Sequence, residues 1–80
     1  MIDDGSLREL IRKTLPDADV EIFDRTGTRD HFNVRVASAH FADKSLIEQH
    51  QMVYAALRPA LKDGRLHAVE LKTQTLERHP

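Results

Sequence analysis

Hydrophobic positions along the chain change spacing from helical to extended and back. Leu7, Leu10, Ile11 and Thr14 recur at intervals of three and four, which predicts an amphipathic helix over residues 7–15. Ser6-Leu7-Arg8-Glu9 reads as a capping box at its start, and Pro16 pushes the preceding residue out of the helical region. Residues 20–24 read as a strand with Val20 and Ile22 on one side. The polar, glycine-containing stretch 24–30 reads as a hairpin loop. From His31 to Ser38 the alternation is regular: Phe32, Val34 and Val36 face one way, and His31, Asn33 and Arg35 the other.

A second capping box, Ser45-Leu46-Ile47-Glu48, opens a longer helix whose inner stripe is read as Leu46, Ile47, His50, Val53, Tyr54, Leu57 and Leu61. Pro59 removes a backbone donor and is expected to kink its last turn. Gly64 suits a left-handed stop. Residues 66–73 form the last strand, with Val69 and Leu71 on one face, and residues after 75 fray. The order is α-β-β-α-β. The first two strands make a hairpin, and the helical connection suits a right-handed crossover to a parallel third strand. The expected fold class is therefore α+β, a two-layer sandwich with a mixed three-stranded sheet and helices on one face.

Eighty residues make one domain, with an ordered core over about 6–75. Twelve basic and thirteen acidic side chains leave a net charge of −1, so any nucleic-acid site must be a local patch. The absence of cysteine excludes disulfides, thiolate metal sites and a cysteine nucleophile on this chain. Five histidines remain as the only soft metal ligands. No apolar run approaches a membrane span, and the acidic Met-Ile-Asp-Asp-Gly-Ser start is unlike a signal peptide, so the expected location is cytoplasmic and membrane-free. Phosphate-binding glycine loops are missing, both capping serines have structural roles, and so short a chain leaves little room for a deep pocket. The expectation is a protein that is not an enzyme.

Several segments together resemble the BolA-like family. They are His31-Phe32-Asn33-Val34-Arg35-Val36-Ala37-Ser38, then Phe41, then Ser45-Leu46-Ile47-Glu48-Gln49-His50-Gln51-Met52-Val53-Tyr54-Ala55-Ala56-Leu57, then Leu66-His67-Ala68-Val69-Glu70-Leu71-Lys72-Thr73. The match runs over about 20–75. Two positions depart from the family pattern: Asp43 stands where the family usually has glycine, and Leu76 where it usually has proline. The resemblance implies a fold like type II KH domains. It also implies two roles. One is partnership with a monothiol glutaredoxin and its glutathione around a bridging [2Fe-2S] cluster that the isolated protein is not expected to hold. The other is DNA-binding transcriptional regulation in stress and morphology responses.

His67 is the first candidate ligand. In the family the histidine of this His-Ala motif resembles a cluster ligand, and a neutral imidazole on iron is sound chemistry. The competing reading is a packed histidine, because alternation places His67 on the face of Val69 and Leu71. Some family members supply a second ligand from the loop between the first two strands, so the resemblance makes His31, the only imidazole there, the candidate second ligand; its competing reading is an ordinary surface side chain. If the two rings emerge on opposite faces, Asp30 or Thr28 are weaker oxygen substitutes. His50 reads as a core histidine bonded to a neighbour. His40 and His79 carry no spacing signal. Two histidines alone are a weak zinc signal. Arg58, Lys62, Arg65 and Lys72 form the candidate nucleic-acid patch, against the plainer reading that cations offset the dipole at a helix C-terminus. With glycine only at 5, 27 and 64, no Gly-x-x-Gly clamp of KH type exists.

Overall fold

Asp3, rather than Ser6, caps the first helix. Its side chain accepts from the Ser6 amide at 2.7 Å, and the helix begins nearly a turn earlier than the serine motif suggests. In this computed structural model, which describes residues 2–25, 27 and 31–76, the elements are α1 (Asp4–Thr14), β1 (Asp19–Asp24), β2 (His31–Ser38), a short 3-10 turn (Ala39–Phe41), α2 (Leu46–Lys62) and β3 (Ala68–Thr75). The carboxylate at residue 3 wins because it adds charge attraction to the capping hydrogen bond. At the other end the Leu15 amide donates to Ile11 O, and Pro16 prevents another turn.

The capping box of α2 forms as read. Glu48 N donates to Ser45 Oγ and Ser45 N to Glu48 Oε1, both at 3.1 Å. The Ser45 amide holds the Glu48 carboxyl below its ordinary pKa. Gly64 follows the helix at φ 84°, in the left-handed region.

The sheet order is β1-β2-β3. β1 pairs with β2 antiparallel, and β2 with β3 parallel in the register His31↔Ala68 through Ser38↔Thr75. Both helices cover one face, so the architecture is the expected α+β sandwich. The core joins Leu7, Ile11 and Leu15 of the α1 segment to Phe32, Val34 and Val36 of β2, Val53, Leu57 and Ala60 of α2, and Phe41 and Leu66 from the connections.

Two expectations about α2 are corrected. Leu46 and Ile47 are 61% and 70% exposed, not internal, and Tyr54 is 40% exposed. Val53 and Leu57 are buried as read, and Ala56 and Ala60 complete the buried stripe. Gln49 already meets Thr73 near the end of β3, at 2.7 Å. Leu46, one turn earlier, therefore has no sheet beneath it. His50 is half-buried, but its Nε2 meets no hydrogen-bond partner among the described residues.

A half-buried polar node fixes the end of β2. Asp17, in the turn before β1, accepts from Ser38 Oγ and Ala39 N, each at 2.7 Å, and contacts His40 Nδ1 at 3.1 Å. The Ser38 hydroxyl leads in lowering the Asp17 pKa from 3.8 to about 2, helped by the Ala39 amide and His40. Ser38 is fully buried, and its hydroxyl donates a hydrogen bond to the carboxylate. This serine, histidine and aspartate together clamp the end of β2.

Asp43 adopts φ 64° between the 3-10 turn and α2. The residue that departs from the family's glycine thus occupies the conformation that favours glycine.

Candidate functional site

The parallel register brings the amino ends of β2 and β3 side by side. His31 opens β2 and pairs with Ala68, so its side chain leaves the sheet on the face opposite Phe32 and Val69. His67 lies one residue before β3 begins. Strand alternation therefore does not govern it, and the expectation that it shares the core face of Val69 and Leu71 is overturned: both histidines are exposed. Leu66, just before it, is buried, and its amide donates to Ala60 O at 3.1 Å. That anchor fixes where the chain leaves the helix layer and enters the strand.

The two rings meet edge to face. Their centroids are 6.1 Å apart with planes at 70°. Metal–nitrogen bonds of about 2.1 Å would place two imidazole centroids about 5 Å apart on one tetrahedral ion. The observed spacing is near that value, and two exposed side chains can close the remainder by small rotamer changes. No group of three or more His, Cys, Asp or Glu side chains suited to a metal occurs among the described residues. The pair thus offers two imidazole nitrogens, and any ion held between them would need further ligands beyond the described residues.

Beside the rings, Arg25 N donates to His31 O at 3.0 Å, closing the hairpin. The Arg25 guanidinium meets Glu70 at 3.2 Å. Arg25, His31, Phe32, Ala68, Val69 and Glu70 line a shallow recess of about 110 Å³ there. Thr28, Asp30 and His79 lie outside the described residues.

The four candidate nucleic-acid residues do not share one surface. Arg58 and Lys62 are exposed on α2. Arg65 is engaged by Asp63, with Nε 2.8 Å from the carboxylate, and the Arg65 amide leads in lowering the Asp63 pKa. Lys72 pairs across the sheet with Arg35 and points to the face away from the helices. Spacing along the sequence hid this split, because alternation reverses the side with every residue of β3.

Comparison with known proteins gives the same answer as the residues. The model of the BolA-like protein family matches residues 11–78. The chain belongs to the BolA-like family. Among its relatives, BolA-like protein 2 of Mus musculus is 40% identical over 73 residues, covering 89% of this chain and 83% of that protein. An uncharacterized protein of Rickettsia prowazekii is 34% identical over 67 residues, covering 84% of this chain and 86% of that one. Among solved structures, BolA1 from Arabidopsis thaliana superposes with a TM-score of 0.81 at 30% identity, covering 99% of this chain and all of that one. The BolA domain of SufE1 from the same plant gives 0.77 at 30% identity, covering 94% and 95%. This BolA-like chain shares with them the two-helix, three-strand arrangement.

Proposed function

We propose that this BolA-like protein is a non-catalytic adaptor for iron–sulfur trafficking. It docks on a monothiol glutaredoxin with its glutathione and contributes ligands to a [2Fe-2S] cluster shared between the two. His67 is the principal ligand and His31 the second. The observation that carries the reading is the 6.1 Å approach of two exposed imidazoles at adjacent strand ends. The chain has no cysteine, so sulfur ligands must come from the partner. Imidazole in place of thiolate raises a cluster's potential when the cluster is bound. The chain's own task is geometric: the Leu66 anchor and the parallel register hold the two side chains where one ion can meet both.

The test is visible circular dichroism of a cluster-loaded monothiol glutaredoxin titrated with this protein. Mixing should change the spectrum at a one-to-one ratio, with the change lost for His67→Ala and weakened for His31→Ala. A spectrum unchanged on mixing, or changed identically by wild type and His67→Ala, refutes the assignment.

A further inference from the structure

The outer edge of β3 has no strand beside it, because the sheet order among the described residues ends there. Leu76 N donates to Ser38 O at 3.1 Å. In a parallel ladder that fixes the parity of the strand: the even-numbered residues of β3 bond to β2, and Val69, Leu71, Thr73 and Thr75 turn their main-chain groups outward. Tyr54 marks this side of α2, since its hydroxyl donates to Val69 O at 3.3 Å. Ile47 lies two turns earlier on the same helix flank. An open strand edge is thus bordered by the exposed apolar side chains of Ile47 and Tyr54.

We infer that this edge pairs with a second copy of the chain, joining two sheets into one six-stranded sheet through antiparallel β3–β3 contact centred on Leu71. The charge pattern selects both the occupant and the register. With Leu71 opposite Leu71, Glu70 of each copy lies opposite Lys72 of the other, on the face away from the helices. Val69 lies opposite Thr73, and about six main-chain hydrogen bonds form, those to Val69 O sharing that oxygen with the bond it accepts from Tyr54. Centring on Lys72 would instead oppose two lysines, which is unfavourable. The other edge is unsuited to self-pairing, because β1 carries Asp19, Glu21 and Asp24 and no cation. A two-fold axis perpendicular to the sheet keeps all helices on one side and turns the Ile47–Tyr54 flanks of the two α2 helices toward each other. The axis places each His67 about 26 Å along the strand direction from its copy, by strand rise. The two histidine sites therefore lie toward opposite ends of the joined strands.

Disulfide trapping tests the register directly, since the chain has no native cysteine. Residues 70 and 72 would form a non-hydrogen-bonded antiparallel pair, with Cα atoms about 4.5 Å apart and within disulfide reach. A mixture of Glu70→Cys and Lys72→Cys full-length chains should cross-link at least fivefold more than either chain alone. Sedimentation velocity over a concentration series provides the second arm. Lys72→Glu should weaken the wild-type dimer at least fivefold, and Glu70→Lys combined with Lys72→Glu should restore it, with circular dichroism confirming that each variant folds. A wild-type chain that stays monomeric to millimolar concentration overturns the inference. So does a dimer indifferent to Lys72→Glu, or cross-linking no greater in the mixture than in the separate chains.

Discussion

Replacing Asp17 with asparagine should remove a defined and pH-dependent share of the stability. The Asp17 side chain is 15% exposed and accepts from Ser38 Oγ, Ala39 N and His40 Nδ1. Asparagine keeps the shape but presents an NH₂ group where one oxygen accepted, leaving Ser38 Oγ or Ala39 N unpaired in a buried place. A carboxyl lowered from 3.8 to about 2 is worth roughly 2 kcal/mol to the folded state, at about 1.4 kcal/mol per pKa unit. Because the folded value lies below the unfolded one, this contribution is complete above about pH 4 and disappears as pH falls toward 2. Against a total of roughly 4–12 kcal/mol for a chain this short, it is a large fraction. Urea unfolding followed by far-UV circular dichroism should show Asp17→Asn about 2 kcal/mol less stable than wild type at pH 7. The gap should narrow by more than 1 kcal/mol between pH 5 and pH 2, an estimate from the same linkage. A gap below about 0.5 kcal/mol at pH 7, the level of an ordinary surface change, would refute the reasoning. A gap that keeps its size down to pH 2 would also refute it.

Other consequences can be checked in the same unfolding assay. Leu57→Ala should cost about 3 kcal/mol by emptying a fully buried site, whereas Leu46→Ala in the same helix should stay within about 0.5 kcal/mol. Ser45→Ala should cost about 1 kcal/mol by opening the capping box. Gly64→Ala should cost about 1 kcal/mol because φ is 84° there. Asp43→Gly should instead stabilise by some tenths of a kcal/mol, since glycine enters the left-handed region without steric cost.

Much of the fold was legible because local and long-range signals agree. The bounds of β2 follow from its alternation alone, and the Ser45 box marks the start of α2 to the residue. Misreadings arose where two local signals competed. Ser6-x-x-Glu9 has the capping-box pattern, yet Asp3 three residues earlier offers a charged oxygen to the same kind of amide. Helical periodicity placed Leu46, Ile47 and Tyr54 among the inner residues of α2, because spacing shows which residues share a flank but not where the underlying sheet ends.

The histidine pair shows the same limit from the opposite side. Alternation counted back from Val69 and Leu71 sends His67 into the core, and counted from Phe32 it sends His31 outward. On that arithmetic the two rings never meet. The count fails because β3 begins at Ala68, so the dihedral angles that enforce alternation stop one residue short of His67. Where a strand begins depends on where its neighbour begins, and His31↔Ala68 is the first parallel pair. That pairing depends on how α2 delivers the chain back to the sheet, through the buried Leu66 and its bond to Ala60 O. A long-range packing event thus decides which face a single imidazole occupies. The same event leaves His67 outside the strand geometry that would otherwise have hidden it.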